Sequence, residues 1–362
     1  MFESLSGEIL SGKYTPGQKL PSEAALVQQF KTSRITVGHA LRDLVQRGLV
    51  QRIAGSGTYV RQPSAPEGAR MFGLLIPDLG ATEIFDPICR GIAAAPQAVQ
   101  HALIWGTVAQ EIAPEEQALQ LCGQFIERGV AGVFFAPIER TPKAPQTNRE
   151  ILERLEKARI PVVLLDRSVL PYPKRDRYDL VGIDNRRAGF MAAEHLLKLG
   201  ATGLSFLGYS GSAATVEGRA AGFREALFSF GIPPGRNHVH LLDNISESTI
   251  RPIAASKKQG RAFVCANDRT AGELMQVLQH LGYEIPRDVR IVGIDDVEYA
   301  SLLPVPLTTV HQPCREIGEA AMGAMLDRIS RPGMPARDIL VDCSLVVRRS
   351  CGARSAASPS NR

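Results

Sequence analysis

Two patterns of hydrophobic spacing divide the chain. Over the first 60 residues, apolar side chains recur three and four apart, the spacing of one helix face. Phe2, Leu5, Ile9 and Leu10 outline a first helix that Gly12 ends. After a Pro16-Gly17 turn, Leu20-Pro21-Ser22-Glu23 opens a second helix, with Ser22 as its N-cap and Ala25, Leu26 and Phe30 as its buried face. Lys31-Thr32-Ser33 interrupts the pattern before a third helix, from Arg34 to about Arg47, closed by Gly48. Ile35, Val37, Leu41 and Leu44 are its predicted buried face. Two short strands over 49–53 and 58–61 follow, joined by Gly55-Ser56-Gly57, whose glycines tolerate positive φ. Three helices plus a hairpin make a winged helix-turn-helix. In such a module the third helix suits a major groove about 12 Å wide, and the hairpin can reach a neighbouring minor groove.

From residue 71 the pattern changes to short continuous apolar runs, at 72–76, 102–105, 132–136, 161–165, 180–183, 204–207, 239–242, 262–265 and 289–294. Helical periodicity lies between many of them, at 115–128, 187–199, 218–230 and 270–281. Fully apolar strands alternating with amphipathic helices predict parallel sheets covered on both faces. Some 280 residues exceed one sheet of ordinary size, so the expected fold is α/β with two lobes behind the winged head. The predicted divisions are a head over 1–62, a linker of turn formers and small residues over 63–70, and a body over 71–350. Crossovers between lobes are expected near 170–178 and 303–335, and a disordered tail over 351–362.

Composition narrows the class. At 362 residues, 44% apolar and 22% charged, the chain has the balance of a soluble globular protein, which excludes collagen-like, wholly disordered and coiled-coil readings. The longest apolar runs fall far short of the roughly 20 residues that span a bilayer. No basic segment followed by an apolar core opens the chain, and the six cysteines form no Cys-x-x-Cys pair. A cytoplasmic protein with reduced thiols is expected. The formal charge of +5 is concentrated at the front: residues 1–62 hold eight Lys and Arg against four Asp and Glu. A basic module on a near-neutral body points to a polyanion for the module and another partner for the body.

Ligands of parallel α/β sheets sit beyond the carboxyl ends of the strands. The residues just after the predicted strands are Asp78, Pro137, Asp166-Arg167, Asp184-Asn185, Asn267-Asp268 and Asp295-Asp296. Asp, Asn and Arg suit bidentate hydrogen bonding of vicinal hydroxyls. The same residues cap helices throughout such folds, so each position carries two readings. Catalytic signatures are missing. Gly208-Tyr209-Ser210-Gly211-Ser212 lacks the final glycine of a nucleophile elbow, and neither dinucleotide nor phosphate-loop motifs occur. Histidine and cysteine show no zinc spacing. No enzymatic activity, cofactor or metal is expected.

The head resembles the GntR family of bacterial transcription regulators through three motifs in order: G-K-Y-x-P-G-x-K-L-P-S-E, S-R-I-T-V-x-x-A-L-x-D-L and R-G-L-V-x-R-x-x-G-S-G-T-Y-V. The resemblance implies that Ser33, Arg34 and Thr36 open the recognition helix, with Arg34 the base reader. It places Gly55, Ser56 and Gly57 at the wing tip and Arg52 near a phosphate, while Glu23 orients an arginine or caps a helix. Ala24 and Gly38 stand where members commonly carry arginine.

The body resembles the sugar-binding domain of the LacI and periplasmic-binding-protein superfamily, of type I architecture. A-N-D-R-T-A-G-E-L-M-Q-V-L-Q-H-L-G-Y-E-I-P-R-D-V-R-I-V-G-I-D-D-V-E-Y-A, followed by L-T-T-V-H-Q-P, carries the resemblance most strongly, and I-P-V-V-L-L-D-R supports it. It assigns ligand hydrogen bonds to Asp166, Arg219, Asn267 and Asp295, and stacking to Phe85. Asp268 and Asp296 fit better as caps or supports behind the ligand. The two parts together resemble arabinose-repressor-like regulators. That arrangement implies a dimeric repressor of double-stranded operator DNA, released or retained by a small effector, a sugar. Two other readings remain at this stage: a solute-binding or sensing protein, and a DNA binder whose effector cleft has degenerated.

Overall fold

A computed structural model describes residues 1–10, 13–15, 17–46, 49–53, 56–60, 68–76, 83–106, 112–255 and 260–353. The chain divides into two compact units, Met1–Ala69 and Arg70–Arg362. Among the described residues, no helix is long and apolar enough to cross a membrane.

The first unit has helices α1 (Phe2–Leu10), α2 (Glu23–Phe30) and α3 (Arg34–Gln46), then strands β1 (Val50–Ile53) and β2 (Gly57–Val60). Ser22 caps α2 as its sequence position predicts, its Oγ accepting from the Ala25 amide at 3.2 Å. Leu5, Leu20, Leu26, Val37, Leu41, Leu44, Val50 and Val60 form one buried cluster. Ile35 is not part of it: its side chain is 74% exposed, against expectation. Ile35 and Val37 are two apart on a helix and point to different faces, so only one can be buried. Ala25 is likewise exposed while its neighbour Leu26 is fully buried. The hairpin gains a third edge, because Lys19 bridges Tyr59 and the Leu20 amide donates to the Thr58 carbonyl at 2.8 Å.

The second unit holds two six-stranded sheets. Its elements are β3 (Met71–Leu75), α4 (Phe85–Ala94), β4 (Ala102–Trp105), α5 (Pro114–Glu127), β5 (Gly132–Phe135), α6 (Ala144–Lys157), β6 (Val162–Leu165), β7 (Asp179–Ile183), α7 (Asn185–Lys198), β8 (Gly203–Tyr209), α8 (Ala214–Ser229), β9 (Val239–Leu242), α9 (Glu247–Ala254), β10 (Arg261–Cys265), α10 (Asp268–His280), β11 (Val289–Asp295), β12 (Thr308–His311), α11 (Cys314–Ser330), β13 (Asp338–Val341) and β14 (Ser344–Val346). The first sheet runs β13-β7-β6-β5-β3-β4 and the second β14-β12-β11-β10-β8-β9. All pairings are parallel except β12 with β14.

Strand alternation explains how each sheet is covered on both sides. In β5, Phe134 joins one apolar cluster while Val133 and Phe135 join another on the opposite face. In β10, Ala262 and Val264 face one cluster, and Phe263 and Cys265 the other. The chain passes between sheets three times: after β7, after β12, and between β13 and β14. The first passage therefore falls at 183–185, later than the 170–178 expected, because β7 still pairs with β6. The second falls at 311–314. The final residues described are packed and not a free tail, since Cys351 is fully buried. Residues 354–362 lie outside the described residues.

Helix pairs α7/α8 and α4/α11 approach unusually closely. A Cβ added at Gly222 would lie 1.7 Å from the Arg186 carbonyl oxygen, and one at Gly189 1.9 Å from that of Arg219. Glycine is required at both, so that α8 can bring Arg219 against the end of the second sheet.

Candidate functional site

In the head, the expected DNA-contacting residues cluster at the start of α3 and on the hairpin. Ser33 is the N-cap of α3: its Oγ accepts from the Thr36 amide at 3.1 Å and lies 2.9 Å from Thr36 Oγ1. Arg34, 83% exposed, approaches Glu23 with Nε to carboxylate at 3.6 Å. Arg52 pairs with the other oxygen of the same carboxylate. Glu23 thus orients two arginines, one from α3 and one from the hairpin. Ser56 Oγ sits 2.7 Å from Tyr59 Oη, and Gly57 adopts φ of 136° where an added Cβ would strike the Lys19 side chain. Gly55 lies outside the described residues. His39 and Ala24 are exposed, and a Cβ added at Gly38 would meet nothing within 4 Å.

In the body, the carboxyl ends of β5, β6, β8, β10 and β11 converge on a cleft between the two sheets. The backbone is strained there: of six non-glycine residues with positive φ among the described residues, Arg140, Asp166, Asp295 and Asp296 border it. Asp166 and Arg167 follow β6. Both are buried, and Arg167 Nε donates to Asp166 Oδ2 at 3.2 Å. Arg219, buried on α8, donates to Asn185 Oδ1 at 2.8 Å and to the Ala266 carbonyl at 2.5 Å. It also lies 3.3 Å from Asp295 Oδ1, which accepts from Gln312 Nε2 at 2.6 Å. Burial pushes the Asp295 carboxyl up, to about 7; Arg219 and Gln312 oppose the rise, and the Asp268 charge adds to it.

Other expected residues have structural tasks. Asn267 lines the cleft, but its Oδ1 is engaged as the N-cap of α10, accepting from the Thr270 amide at 2.9 Å. Asp184 caps α7 through the Arg187 amide at 3.0 Å. Asp268 supports from behind, accepting from the Val297 amide at 3.0 Å and Thr309 Oγ1 at 2.5 Å. Asp296 receives Arg348 at 2.7 Å and His311 at 3.0 Å. The Phe85 ring is buried, with the Arg167 guanidinium 5.2 Å from its centroid. Asp78 lies outside the described residues.

The cleft also holds residues that the strand-end rule did not single out. Glu139 follows β5 after a Pro137-Ile138 turn, and buried Asn148 pins that turn by bonding both the amide and the carbonyl of Ile138, at 2.9 and 2.8 Å. One Glu139 oxygen holds Arg167 at 2.6 Å; the other accepts from the Ala213 amide of the opposite lobe at 2.8 Å. Burial alone would raise this carboxyl, but Arg167 and the Ala213 amide outweigh it and hold it below the usual carboxylate range. Next to it, the Arg140 amide donates to the Gly211 carbonyl at 3.1 Å, and its guanidinium lies 4.2 Å from the Tyr209 ring centroid. The lobes therefore touch, with a polar, partly open cavity of about 60 Å³ between them. Two of its lining residues, Asp166 and Thr270, each carry a buried oxygen, Oδ1 and Oγ1, without a hydrogen-bond partner in the chain.

Comparison with known proteins places both units. Residues 1–60 match the bacterial regulatory proteins of the gntR family, and residues 193–351 match the periplasmic binding protein-like domain. The arabinose metabolism transcriptional repressor of Geobacillus stearothermophilus is 27% identical over 353 residues, 94% of either chain. The HTH-type transcriptional repressor PurR of Vibrio parahaemolyticus is 30% identical over 206 residues, 56% of this chain and 60% of its own length. A LacI family transcriptional regulator from Enterococcus faecium, solved with bound ribose, superposes with a TM-score of 0.62 at 26% identity, covering 78% of this chain and 98% of that one. These relatives are transcription regulators, two of them named repressors.

Proposed function

We propose that this chain is a sugar-responsive transcriptional repressor with a GntR-type DNA-binding head and a LacI-type effector body. A dimer holds two recognition helices at half-site spacing, and an effector between the lobes changes that spacing. Coupling of about 1–3 kcal/mol would shift operator affinity roughly five- to 150-fold. The head spans 1–62, the linker 63–70 and the effector body 71–350; the chain acts on double-stranded operator DNA in the cytoplasm.

In the head, Arg34 reads a base edge, since a guanidinium donates two parallel hydrogen bonds to guanine. Ser33, Thr36, Arg52 and the wing residues Gly55, Ser56 and Gly57 hold the phosphates and the groove edge. In the cleft, Asp166, Arg167, Arg219 and Asp295 bind vicinal hydroxyls, with Asn267 and Phe85 at the margin.

One observation supports the reading: buried charges from both lobes converge on a cavity lined by Asp166 and Thr270, whose Oδ1 and Oγ1 lack partners. Leaving a buried polar atom unsatisfied costs about 1–3 kcal/mol, and a ligand rich in hydroxyls removes that cost. The test is a gel-shift titration of the full chain on its operator with and without a panel of sugars, run alongside calorimetry. A sugar that binds and moves operator affinity supports the proposal. DNA binding that no sugar alters, with no heat from any of them, would mean a degenerate cleft.

A further inference from the structure

The core of the head leaves Ile35 out, and its place on α3 gives that exposure a use. At about 3.6 residues per turn, Val37, Ala40, Leu41 and Leu44 stack along one side of the helix, and all four are buried. Ile35, Gly38, His39 and Arg42 occupy the opposite side. Ile35 is 74% exposed, His39 and Arg42 are exposed, and the space beside Gly38 is open.

A single apolar side chain on a surface needs no special reason. Ile35 has more than exposure. It stands in the first turn of α3 between Arg34 and Thr36, both assigned above to operator DNA. A β-branched residue gains nothing for the helix itself, because its χ1 is restricted there. Arg34 precedes it, 83% exposed, and Arg42 follows two turns on along the same side. The apolar side chain is therefore set within a basic surface, the setting of a polyanion contact.

The major groove supplies one partner for such a group. Every base pair shows donors and acceptors there, but only thymine adds an apolar group, its 5-methyl. Isoleucine offers no hydrogen bond. Set against the amino group of cytosine or adenine, it would strip water and return nothing. Set against a methyl, it buries apolar surface on both sides. Successive Cα atoms are about 3.8 Å apart and successive base pairs about 3.4 Å, so the residue after Arg34 reaches the base pair beside the guanine or the one after it.

We propose that Ile35 is a specificity-determining residue that reads the 5-methyl group of a thymine within two base pairs of the guanine held by Arg34. This rests on the DNA-binding reading above and adds a base preference that no hydrogen bond supplies.

The test uses the full chain and duplexes that it selects from a random pool, with Kd read by gel shift. Each thymine of the selected half-site is replaced in turn by deoxyuridine, which lacks only the methyl. One methyl lost from a buried contact costs about 0.8 kcal/mol, so a roughly fourfold loss per half-site is expected at one thymine. Ile35→Ala should bind the thymine and uracil duplexes alike, and Ile35→Val should keep part of the difference. Thermal melts of both variants should match the parent chain, because the side chain is exposed. A duplex with cytosine in place of that thymine should gain about fourfold when the cytosine is 5-methylated, in the parent chain and not in Ile35→Ala. Uracil tolerated at every position overturns the proposal and leaves DNA binding intact. So does a uracil penalty that survives Ile35→Ala. An Ile35→Ala chain that weakens by the same factor on thymine and uracil duplexes, or that changes its sedimentation, assigns the side chain to a protein contact and also overturns it. Selection that recovers no preferred sequence overturns the operator reading together with it.

Discussion

Replacing Glu139 tests whether lobe closure and ligand binding share one carboxylate. Glu139→Ala removes two contacts: the 2.6 Å pair with Arg167 and the 2.8 Å bond from the Ala213 amide of the opposite lobe. Only the second exists solely when the lobes are closed. A hydrogen bond to a charged acceptor contributes about 1.5–3 kcal/mol, so closure should become roughly 13- to 160-fold less favourable. An effector that binds the closed form loses affinity by up to the same factor. Glu139→Gln keeps an oxygen for Ala213 but not the charge; the neutral bond is worth about 1 kcal/mol less, a roughly fivefold loss. Both variants strip a partner from buried Arg167, which retains Asp166, and that cost appears in the melt of the ligand-free protein. The assay pairs effector calorimetry with a fluorescence distance between dyes on the two lobes. A graded loss of affinity, Gln less than Ala, together with a shift toward the open distance, is the expected outcome. Glu139→Ala that closes and binds like the parent chain would refute the argument.

Four further outcomes are expected. Arg34→Ala should abolish specific operator binding in a gel shift while effector calorimetry is unchanged, and Gly38→Arg, at a position with open space, should tighten DNA binding and steepen its salt dependence by about one counterion. Asp295, raised in the folded state to about 7 from near 4 when unfolded, contributes stability that is full at low pH and lost as pH rises through 7; melts of the ligand-free protein should therefore fall between pH 5 and 8, and Asp295→Asn should flatten that fall, leaving the same-signed share of Asp268. Gly222→Ala should destabilise the body near the top of the about 1–3 kcal/mol range of overpacking, seen by calorimetric melting, because its methyl would meet the Arg186 backbone and not a side chain that can turn away.

The strands most visible in the sequence are those carried by apolar-rich runs of four or more residues, at the sheet edges as well as inside. Runs at 102–105 and 239–242 coincide with β4 and β9, and most others match within one or two residues. The missed strands, β13 and β14, are edge strands whose continuous apolar stretches, 339–341 and 345–347, are shorter than those of the recognised strands. Helix α11 hides for another reason: its buried face includes Gly318, Ala321 and Ala324, small residues that give little amphipathic contrast. At the cleft, Asp166 and Asp295 were legible because they stand at the strand ends themselves. Glu139 was not, because a Pro137-Ile138 turn carries it beyond the strand, and only the tertiary contact of Asn148 fixes where it arrives. In the head, helical spacing located α3, but assigning Ile35 and Val37 to one face ignored the 100° step between successive residues.

The carboxylate of Glu23 leaves the head with an internal rival for its own target. Both guanidinium groups it tethers, Arg34 from the third helix and Arg52 from the hairpin, must trade that anchor for a nucleotide if they are to leave it. On the reading proposed above, this carboxylate competes with the nucleic acid for both arginines, so a guanidinium drawn onto DNA leaves the acid to the other.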